Sequence, residues 1–481
     1  MKKNFWEGYV APGRVFGNVY FVGTAPASTH VIATEEGLIV IDPGYPEALD
    51  RVLTNMRSVG LDPMQTRIIL CSHGHYDHAG AVLALRNMTG AKTYVGRGDL
   101  DMVEKGIRTW AEELGTEYNE AFTPDVLLDD GDHVTLGSTD VLCLSTPGHT
   151  EGTLSFFFDV TDGKETFRAG MHGGVGCNTL YASYLKNNDL EGMREKFLAG
   201  LERLKGERVE LFLGNHVGNN NTVTKLIRVA NGEKKAFVRP EEWIPFLESR
   251  KAHLQDIIAS EEREAEAVRT ISEEKLVMIV RGVPADKIIP LAEAMYRGGV
   301  RAMECTFDAK GRVTDEETAA TIGRLAKHFE GRMLIGAGTV MKESQVELTA
   351  KNGGRFIVSP DTCEAVIRKT KQLGLASLPG ALTPSEATAA HRAGADFVKL
   401  FPISTLGAPY LKAITAPLSH IKFLAVGGVR LENMPDYLAA GAVGFGIGVT
   451  DADKKALAEG NLAAIEEKCR AFVSCIKENS K

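Results

Sequence analysis

From about residue 15 to about 160, apolar residues fall in short clusters bounded by turn residues: VFGNVYFVG, HVIATEEGLIVIDPG, RIILCSHGH, KTYVG, HVTLGSTDVLCLSTPGH and TLSFFFDV. Runs of this length, rich in β-branched and aromatic residues, predict a sheet-rich domain with few early helices. After Arg239 the pattern changes to PEEWIPFLESRKAHLQDIIASEEREAEAVRTISEEK. This charged, nearly glycine-free stretch predicts one long helix beginning at Pro240, where proline is tolerated in the first turn. It forms a natural seam. Beyond it, strand candidates recur at Leu276–Gly282, Ala302–Phe307, Leu334–Val340, Phe356–Pro360, Ala376–Gly380, Phe397–Pro402, Lys422–Gly428 and Ala442–Gly448. Helical patterns lie between them, several closed by the helix-stop glycines Gly298, Gly353, Gly394 and Gly441. Eight alternations of strand and helix predict a parallel (β/α)8 barrel. The division expected is 1–239 for the first domain, 240–270 for a helical linker and 271–481 for the barrel.

Composition narrows the function classes. With 44% hydrophobic and 25% charged residues over 481 positions, the composition is that of an ordinary soluble globular protein, and the strand and helix pattern places it in the α/β class. A net charge of −8 provides no basic field for nucleic acid or an anionic membrane. Seven scattered cysteines form no disulfide framework and suit a reducing compartment. The opening MKKNFWEGYVAPGRVFG has no apolar leader core, and no apolar stretch approaches ~18 residues. A cytoplasmic location is therefore expected, with no membrane or nucleic-acid partner.

The segment Cys71-Ser-His-Gly-His-Tyr-Asp-His-Ala-Gly80 places His73, His75, Asp77 and His78 just after an apolar strand. Imidazoles and a carboxylate converging on one strand-end loop are a metal-ligand set. This HxHxDH motif, with GLIVIDPG carrying Asp42 before it and TPGHTEGTLSF carrying His149 after it, resembles the metallo-β-lactamase superfamily over about residues 15–230. The resemblance implies an αββα sandwich with a two-metal centre. His73, His75 and His149 would hold one ion, and Asp77, His78 and His216 (in LFLGNHVGNN) a second. Many members carry a metal-bridging aspartate where this chain has Met171 and His172; the subgroup without it still builds two sites from five histidines and one aspartate. Two zinc ions are expected, with Asp77 also orienting a nucleophilic water. His172 is either a core or loop histidine, the favoured reading, or a supporting or replacement ligand. Asn178, Tyr181, Tyr184 and Asn219–Asn221 are candidate substrate contacts, or polar loop residues with no such role. Zinc-bound hydroxide would hydrolyse an ester, lactone, thioester, amide or phosphodiester. Antibiotics are not an expected substrate for a chain without a leader.

In Asp396-Phe-Val-Lys-Leu-Phe-Pro402, Lys399 lies inside an apolar run. A closed barrel has no edge strand on which to place a charge, so this lysine points into a polar site or into the core at high cost; a lysine reaching out from a strand end is the plain alternative. A desolvated lysine can attack a carbonyl to form a Schiff base. Glu304, Thr339 and Pro360 sit near the ends of other strands, where barrel active sites cluster, and strands seven and eight end in Gly427-Gly428 and Gly446-Ile-Gly448.

Together, IVRG, MECTF, GAGTV, IVSP, LPGALTPSE, FVKLFP and VGGV resemble the bacterial class I aldolases for 2-keto-3-deoxy-6-phosphogluconate and 4-hydroxy-2-oxoglutarate, from about Ile271 to Thr450. The resemblance implies that Lys399 is the Schiff-base lysine and Glu304 the general acid/base. Thr339, Pro360 and Phe401 would line a pyruvate pocket, Arg281 would meet an anionic part of the substrate, and Gly427, Gly428 and Gly448 would hold a phosphate. Two departures bear on the substrate: Asp308 stands where many members have an arginine for the substrate carboxylate, and Val449 replaces a serine after the last glycine. A homotrimer is implied by resemblance only.

The expectation is a bifunctional enzyme. Its aldolase half would release pyruvate and an aldehyde from a 2-keto acid, and its zinc hydrolase half, lactonase-like, would open a sugar-acid lactone or ester. The alternative is a zinc hydrolase regulated by a catalytically inactive barrel that binds a sugar acid.

Overall fold

The computed structural model describes residues 8–106 and 121–479. The chain divides into two compact units, Met1–Ile257 and Ile258–Lys481. In the first unit, β1 (Gly13–Phe16), β2 (Val19–Phe21), β3 (His30–Thr34), β4 (Gly37–Ile41), β5 (Thr66–Leu70), β6 (Lys92–Gly96) and β7 (Val126–Leu128) form one sheet in sequential order. A second sheet runs β12-β11-β10-β9-β8, from β8 (Asp132–Leu136), β9 (Thr139–Ser145), β10 (Leu154–Thr161), β11 (Thr166–Met171) and β12 (Leu211–Phe212).

Strand alternation explains how the layers assemble, because successive side chains face opposite sides of a sheet. On β4, Ile39 and Ile41 join Phe21, Ile68, Cys143, Phe156 and Phe158 in the core between the sheets. Leu38 and Val40 face the other way, against Val52, Leu53 and Met56 of helix Leu49–Ser58 and Val82 and Leu85 of helix Val82–Thr89. On the far side of the second sheet, Phe157 and Phe212 meet Trp243 with ring centroids 6.1 and 5.3 Å apart. The result is the expected αββα sandwich. Its early helices are more numerous than the sequence pattern suggested, because helices such as Leu49–Ser58 are short and lie within strand-rich text.

The long helix runs Trp243–Glu274, after a 3-10 turn at Pro240–Glu242. Its first residue is buried in the sandwich, with the Trp243 indole N–H donating to the Leu204 carbonyl at 3.0 Å. Its last turns place Ala267 and Ile271 among Val277, Phe356 and Leu424 in the barrel core. Each end of the helix is thus buried in the unit to which it belongs, and the boundary between the units falls within the helix.

The second unit is a parallel barrel of strands β13 (Leu276–Val280), β14 (Ala302–Thr306), β15 (Leu334–Gly338), β16 (Phe356–Val358), β17 (Ala376–Leu378), β18 (Gly380–Ala381), β19 (Val398–Leu400), β20 (Phe423–Val426) and β21 (Gly444–Gly448). Strand β13 pairs with β21, joining the two ends of the chain of strands. The nine strands correspond to the eight expected, because β17 and β18 are one crossing interrupted at Pro379, which has no N–H to give the ladder. Side chains at alternate positions point inward, so Glu304 follows Ala302, and Lys399 follows Phe397, on the interior face. Of the expected helix-stop glycines, Gly353, Gly394 and Gly441 have positive φ, whereas after the helix Ile288–Arg297 the left-handed residue is Gly299 rather than Gly298. Truncating the buried indole, Trp243→Ala, is expected to cost about 3–5 kcal/mol. A urea unfolding curve followed by circular dichroism should show this as a lower midpoint.

Candidate active sites

In the first unit, β5 delivers a loop that turns at His75 into the single helical turn Tyr76–Ala79, so His73, His75, Asp77 and His78 project from one short stretch. His149 comes from the loop after β9, and His216 from the loop after β12. The ligand atoms of His73, His75 and His149, and those of His73, Asp77 and His78, lie within 4.8 Å of one another. His75 Nδ1 is 2.9 Å from His149 Nε2. His78 Nε2 is 3.3 Å from both Asp77 Oδ2 and His216 Nε2, and His216 Nε2 is 3.7 Å from Asp77 Oδ2. Donors about 2.1 Å from a tetrahedral ion stand about 3.4 Å apart, so these spacings fit a coordination polyhedron.

The surrounding bonds aim the donors inward. His149 Nδ1 donates to the Gly176 carbonyl at 2.8 Å, His216 Nδ1 to the Pro26 carbonyl, and His78 Nδ1 to Asp42 Oδ2 at 2.8 Å, which leaves each Nε2 facing the cluster. Asp42, held at a positive φ, also accepts the Ser72 backbone N–H at 2.7 Å and hydroxyl at 2.6 Å. Burial lowers the basicity of His73, His75 and His149, His75 to about 4, so they present neutral lone pairs. Although burial opposes ionisation of Asp77, the His78 and His216 imidazoles hold it well below the usual carboxylate range. Burial also opposes protonation of His78, but Asp77 and Asp42 together push it up to about 10. These carboxylates call for positive charge at one point, which a cation supplies as well as a proton. His73 Nε2, buried and without a hydrogen-bond partner, is a further sign that the cluster is built for metal.

The remaining first-unit candidates separate. Met171 ends β11, buried and without a donor. His172 accepts the Gly174 N–H at Nδ1, packs near Phe197 and is pushed down to about 3 by burial, as the favoured loop-histidine reading expects. Asn219 donates to Asn215 at 2.6 Å and Asn220 to the Phe212 carbonyl at 2.7 Å, so both secure the loop that carries His216. Asn221 takes a left-handed conformation at the start of helix Thr222–Ala230. Asn178 and Tyr181 are exposed, and Tyr184 is half-buried. The sequence reading passed over Asp99. This buried carboxylate touches the ligand loops through backbone donors remote in sequence, a pattern that no local motif displays.

In the barrel, a cavity of about 840 Å³ is lined by Arg281, Glu304, Thr339, Pro360, Lys399, Phe401, Gly427, Gly428 and Gly448, all nine of the residues singled out there. Lys399 is 7% exposed, with Nζ 4.7 Å from the centre of the Phe401 ring. Burial lowers its basicity against the opposing pull of Glu304. Burial pushes Glu304 up to about 7, and its Oε2 has no hydrogen-bond partner. The carboxylate lies where a side chain at Gly338 would stand, since a Cβ there would come 2.1 Å from Oε1. Thr339, a β-branched residue at φ 57°, accepts the Arg281 guanidinium at 2.9 Å.

Asp308 does not line this cavity: it pairs with Arg312 at 3.0 Å and accepts the Lys310 and Arg312 backbone N–H groups. Val449 does line it. So do Arg430 and Lys468, two cations the sequence reading missed; Lys468 is paired with Asp453 at 2.7 Å.

A parallel barrel with a buried lysine and glutamate in one cavity, preceded by a sandwich with a histidine metal cluster, defines a lyase joined to a metal-binding hydrolase fold. Residues 268–468 match the family model "KDPG and KHG aldolase", and residues 22–162 match that of the metallo-beta-lactamase superfamily. The chain is 36% identical over 174 residues to the 2-dehydro-3-deoxy-6-phosphogalactonate aldolase of Escherichia coli, covering 36% of this chain and 82% of that protein. It is 32% identical over 195 residues to the 2-dehydro-3-deoxy-phosphogluconate aldolase of Pseudomonas aeruginosa, covering 40% and 86%. The native FEZ-1 metallo-beta-lactamase from Legionella gormanii superposes with a TM-score of 0.50 at 27% identity, covering 53% of this chain and 98% of that one. The chain belongs to the KDPG and KHG aldolase family, and carries a metallo-β-lactamase domain in front of the aldolase. No helix among the described residues is long and apolar enough to cross a membrane.

The raised pKa of Glu304 gives a stability signature. In the unfolded chain the group ionises near 4.5, whereas in the fold it resists until about 7, so its contribution is full below pH 4.5 and is lost as pH rises through 7. Glu304→Gln removes that loss. The variant is expected to gain on the order of 3 kcal/mol relative to wild type at pH 8, and little at pH 4.5, in paired denaturation curves.

Proposed function

We propose that the second unit is a Schiff-base aldolase acting on a phosphorylated 2-keto-3-deoxy sugar acid, with a phosphogalactonate-type compound as the first candidate. The observation that carries this reading is the shared burial of Lys399 and Glu304 in one polar cavity of the barrel. Lys399 Nζ, its basicity lowered by burial, attacks the C2 carbonyl of the substrate. Water then leaves, with Glu304 moving the protons, and an imine forms. Breaking the C3–C4 bond sends its electron pair into an enamine while the C4 hydroxyl proton goes to a base, releasing an aldehyde. Protonation at C3 and hydrolysis of the imine return pyruvate and the free lysine.

The substrate carboxylate is assigned to Arg281 and Thr339, because Asp308 is turned into its own loop by Arg312. The phosphate is assigned to the backbone of Gly427, Gly428 and Gly448, with Arg430 supplying positive charge that offsets the hydroxyl lost at Val449 and Lys468 shared with Asp453. The relatives support the substrate class, with somewhat higher identity to the phosphogalactonate enzyme. Purified protein is expected to release pyruvate from 2-keto-3-deoxy-6-phosphogalactonate, with Lys399→Ala losing at least about 10³-fold in kcat. No pyruvate from this substrate or its gluconate epimer would favour the sensor reading instead.

The first unit is proposed to be a zinc hydrolase. His73, His75 and His149 would hold one ion, and Asp77, His78 and His216 the second. Bound zinc supplies hydroxide at neutral pH and polarises the carbonyl under attack. This chain's residues fix the donors, and Asp77 orients the water. A lactone or ester of a sugar acid is the proposed substrate, motivated by the fusion to a sugar-acid aldolase. The free cysteines are consistent with a cytoplasmic location, and a homotrimer through the barrel is proposed. Elemental analysis should find two zinc ions per chain, fewer in His73→Ala. Zinc-dependent opening of sugar lactones is expected from the full chain, and its absence would overturn the lactonase assignment.

A further inference from the structure

The two loops that carry the first three histidines of the metal cluster do not touch through the histidines alone. Asp99, 1% exposed, lies in the turn after β6 and is named in neither ligand triad. Its Oδ2 accepts the backbone N–H of Gly74, the residue between His73 and His75, at 2.7 Å. The same oxygen accepts the hydroxyl of Thr150, next to His149, at 2.8 Å. Its Oδ1 accepts the backbone N–H of Gly152 at 2.8 Å. One carboxylate therefore binds the His73–His75 loop to the His149 loop.

The seat of this carboxylate is close on every side. A Cβ at Gly152 would stand 2.4 Å from the Asp99 nitrogen and 2.5 Å from its Cγ. A Cβ at Gly96 would meet the Gly152 carbonyl oxygen at 2.1 Å, and one at Gly98 the Glu151 carbonyl at 2.5 Å. Backbone lies on backbone here, which only glycine allows. All three polar contacts of Asp99 are donors to it, so the carboxylate acts as an acceptor for both loops at once.

We propose that Asp99 is a positioning residue that sets the spacing of His73 and His75 against His149, and thereby the metal affinity of that triad. It touches neither substrate nor metal. An imidazole pair held 2.9 Å apart across two loops needs a fixed distance between them, and the Asp99 bonds provide it. Asparagine at this position keeps the size but places an N–H₂ against at least one of the donors, so the clasp loosens without a cavity.

This inference rests on the metal-site reading, and one titration series separates the two. Full-length wild type, Asp99→Asn and Thr150→Val are stripped of metal, and zinc affinity is measured by competition with a chromophoric chelator. Far-ultraviolet circular dichroism reports folding, and the cobalt(II) d–d spectrum reports the geometry of the triad. Folded Asp99→Asn is expected to bind its first zinc about 10–100-fold more weakly, with an altered cobalt spectrum. Thr150→Val, which removes one of the three bonds, should shift affinity in the same direction by less. A folded Asp99→Asn with wild-type zinc affinity and cobalt spectrum would overturn the proposal and leave the metal reading standing. Should Asp99→Asn not fold, Thr150→Val decides: weakened zinc binding supports the proposal, and unchanged binding overturns it. A wild type that binds no zinc would overturn the metal reading and this inference together.

Discussion

Removing ionisable groups from water is the constraint on which both sites depend. A lysine on the inner face of a closed barrel cannot reach an edge, and the layers of apolar side chains around it disfavour its charge. Lys399 responds with lowered basicity and Glu304 with a pKa raised to about 7, the directions that the proposed amine nucleophile and proton carrier require. In the sandwich the same desolvation lowers the basicity of His73, His75 and His149, while the neighbouring Asp77 and Asp42 raise that of His78 against burial. Neither arrangement improves packing. Each is held in place by the scaffold, and each is arranged for chemistry that uses a charge only in the presence of a ligand.

The barrel was largely legible because its physics is local. Most strands are apolar runs closed by glycine or proline, and the site residues lie within these runs or just past their ends, and all nine candidates line one cavity. The break at Pro379 was not visible in the text, since it appears only when the pairing partners of β17 and β18 are known. The metal motif was legible for the same reason: four of its donors lie within six residues. Asp99 was not, because its partners Gly74 and Gly152 are 25 and 53 residues away and donate through backbone that every residue possesses. The charged text of the long helix concealed its buried positions, Trp243, Leu247, Leu254, Ile257, Ala267 and Ile271. Asn219 and Asn220 illustrate the converse, polar residues beside a ligand whose hydrogen bonds serve the loop itself.

The two departures from the aldolase pattern acquire physical meaning in the fold. Asp308 presents no carboxylate to the cavity because Arg312, four residues on, and two backbone N–H groups occupy it. Arg281, held by the hydroxyl of Thr339 at its left-handed φ, lies close enough to the lysine and glutamate for its charge to bear on the basicity of both. At the other end, Val449 offers no hydroxyl, while Arg430 lines the same cavity and Lys468 reaches it from its pair with Asp453. On the proposed reading, the cavity would offer groups to both ends of an anionic substrate despite the −8 net charge of the chain.

The central claim is that the Lys399 amine is a nucleophile toward a 2-keto acid. Borohydride reduction in the presence of pyruvate, followed by peptide mass spectrometry of the intact chain, tests it most directly. The account predicts a stable pyruvate-derived adduct on the peptide containing Lys399, absent in Lys399→Ala. Pyruvate binding with no covalent adduct, or an adduct on another lysine, would contradict it.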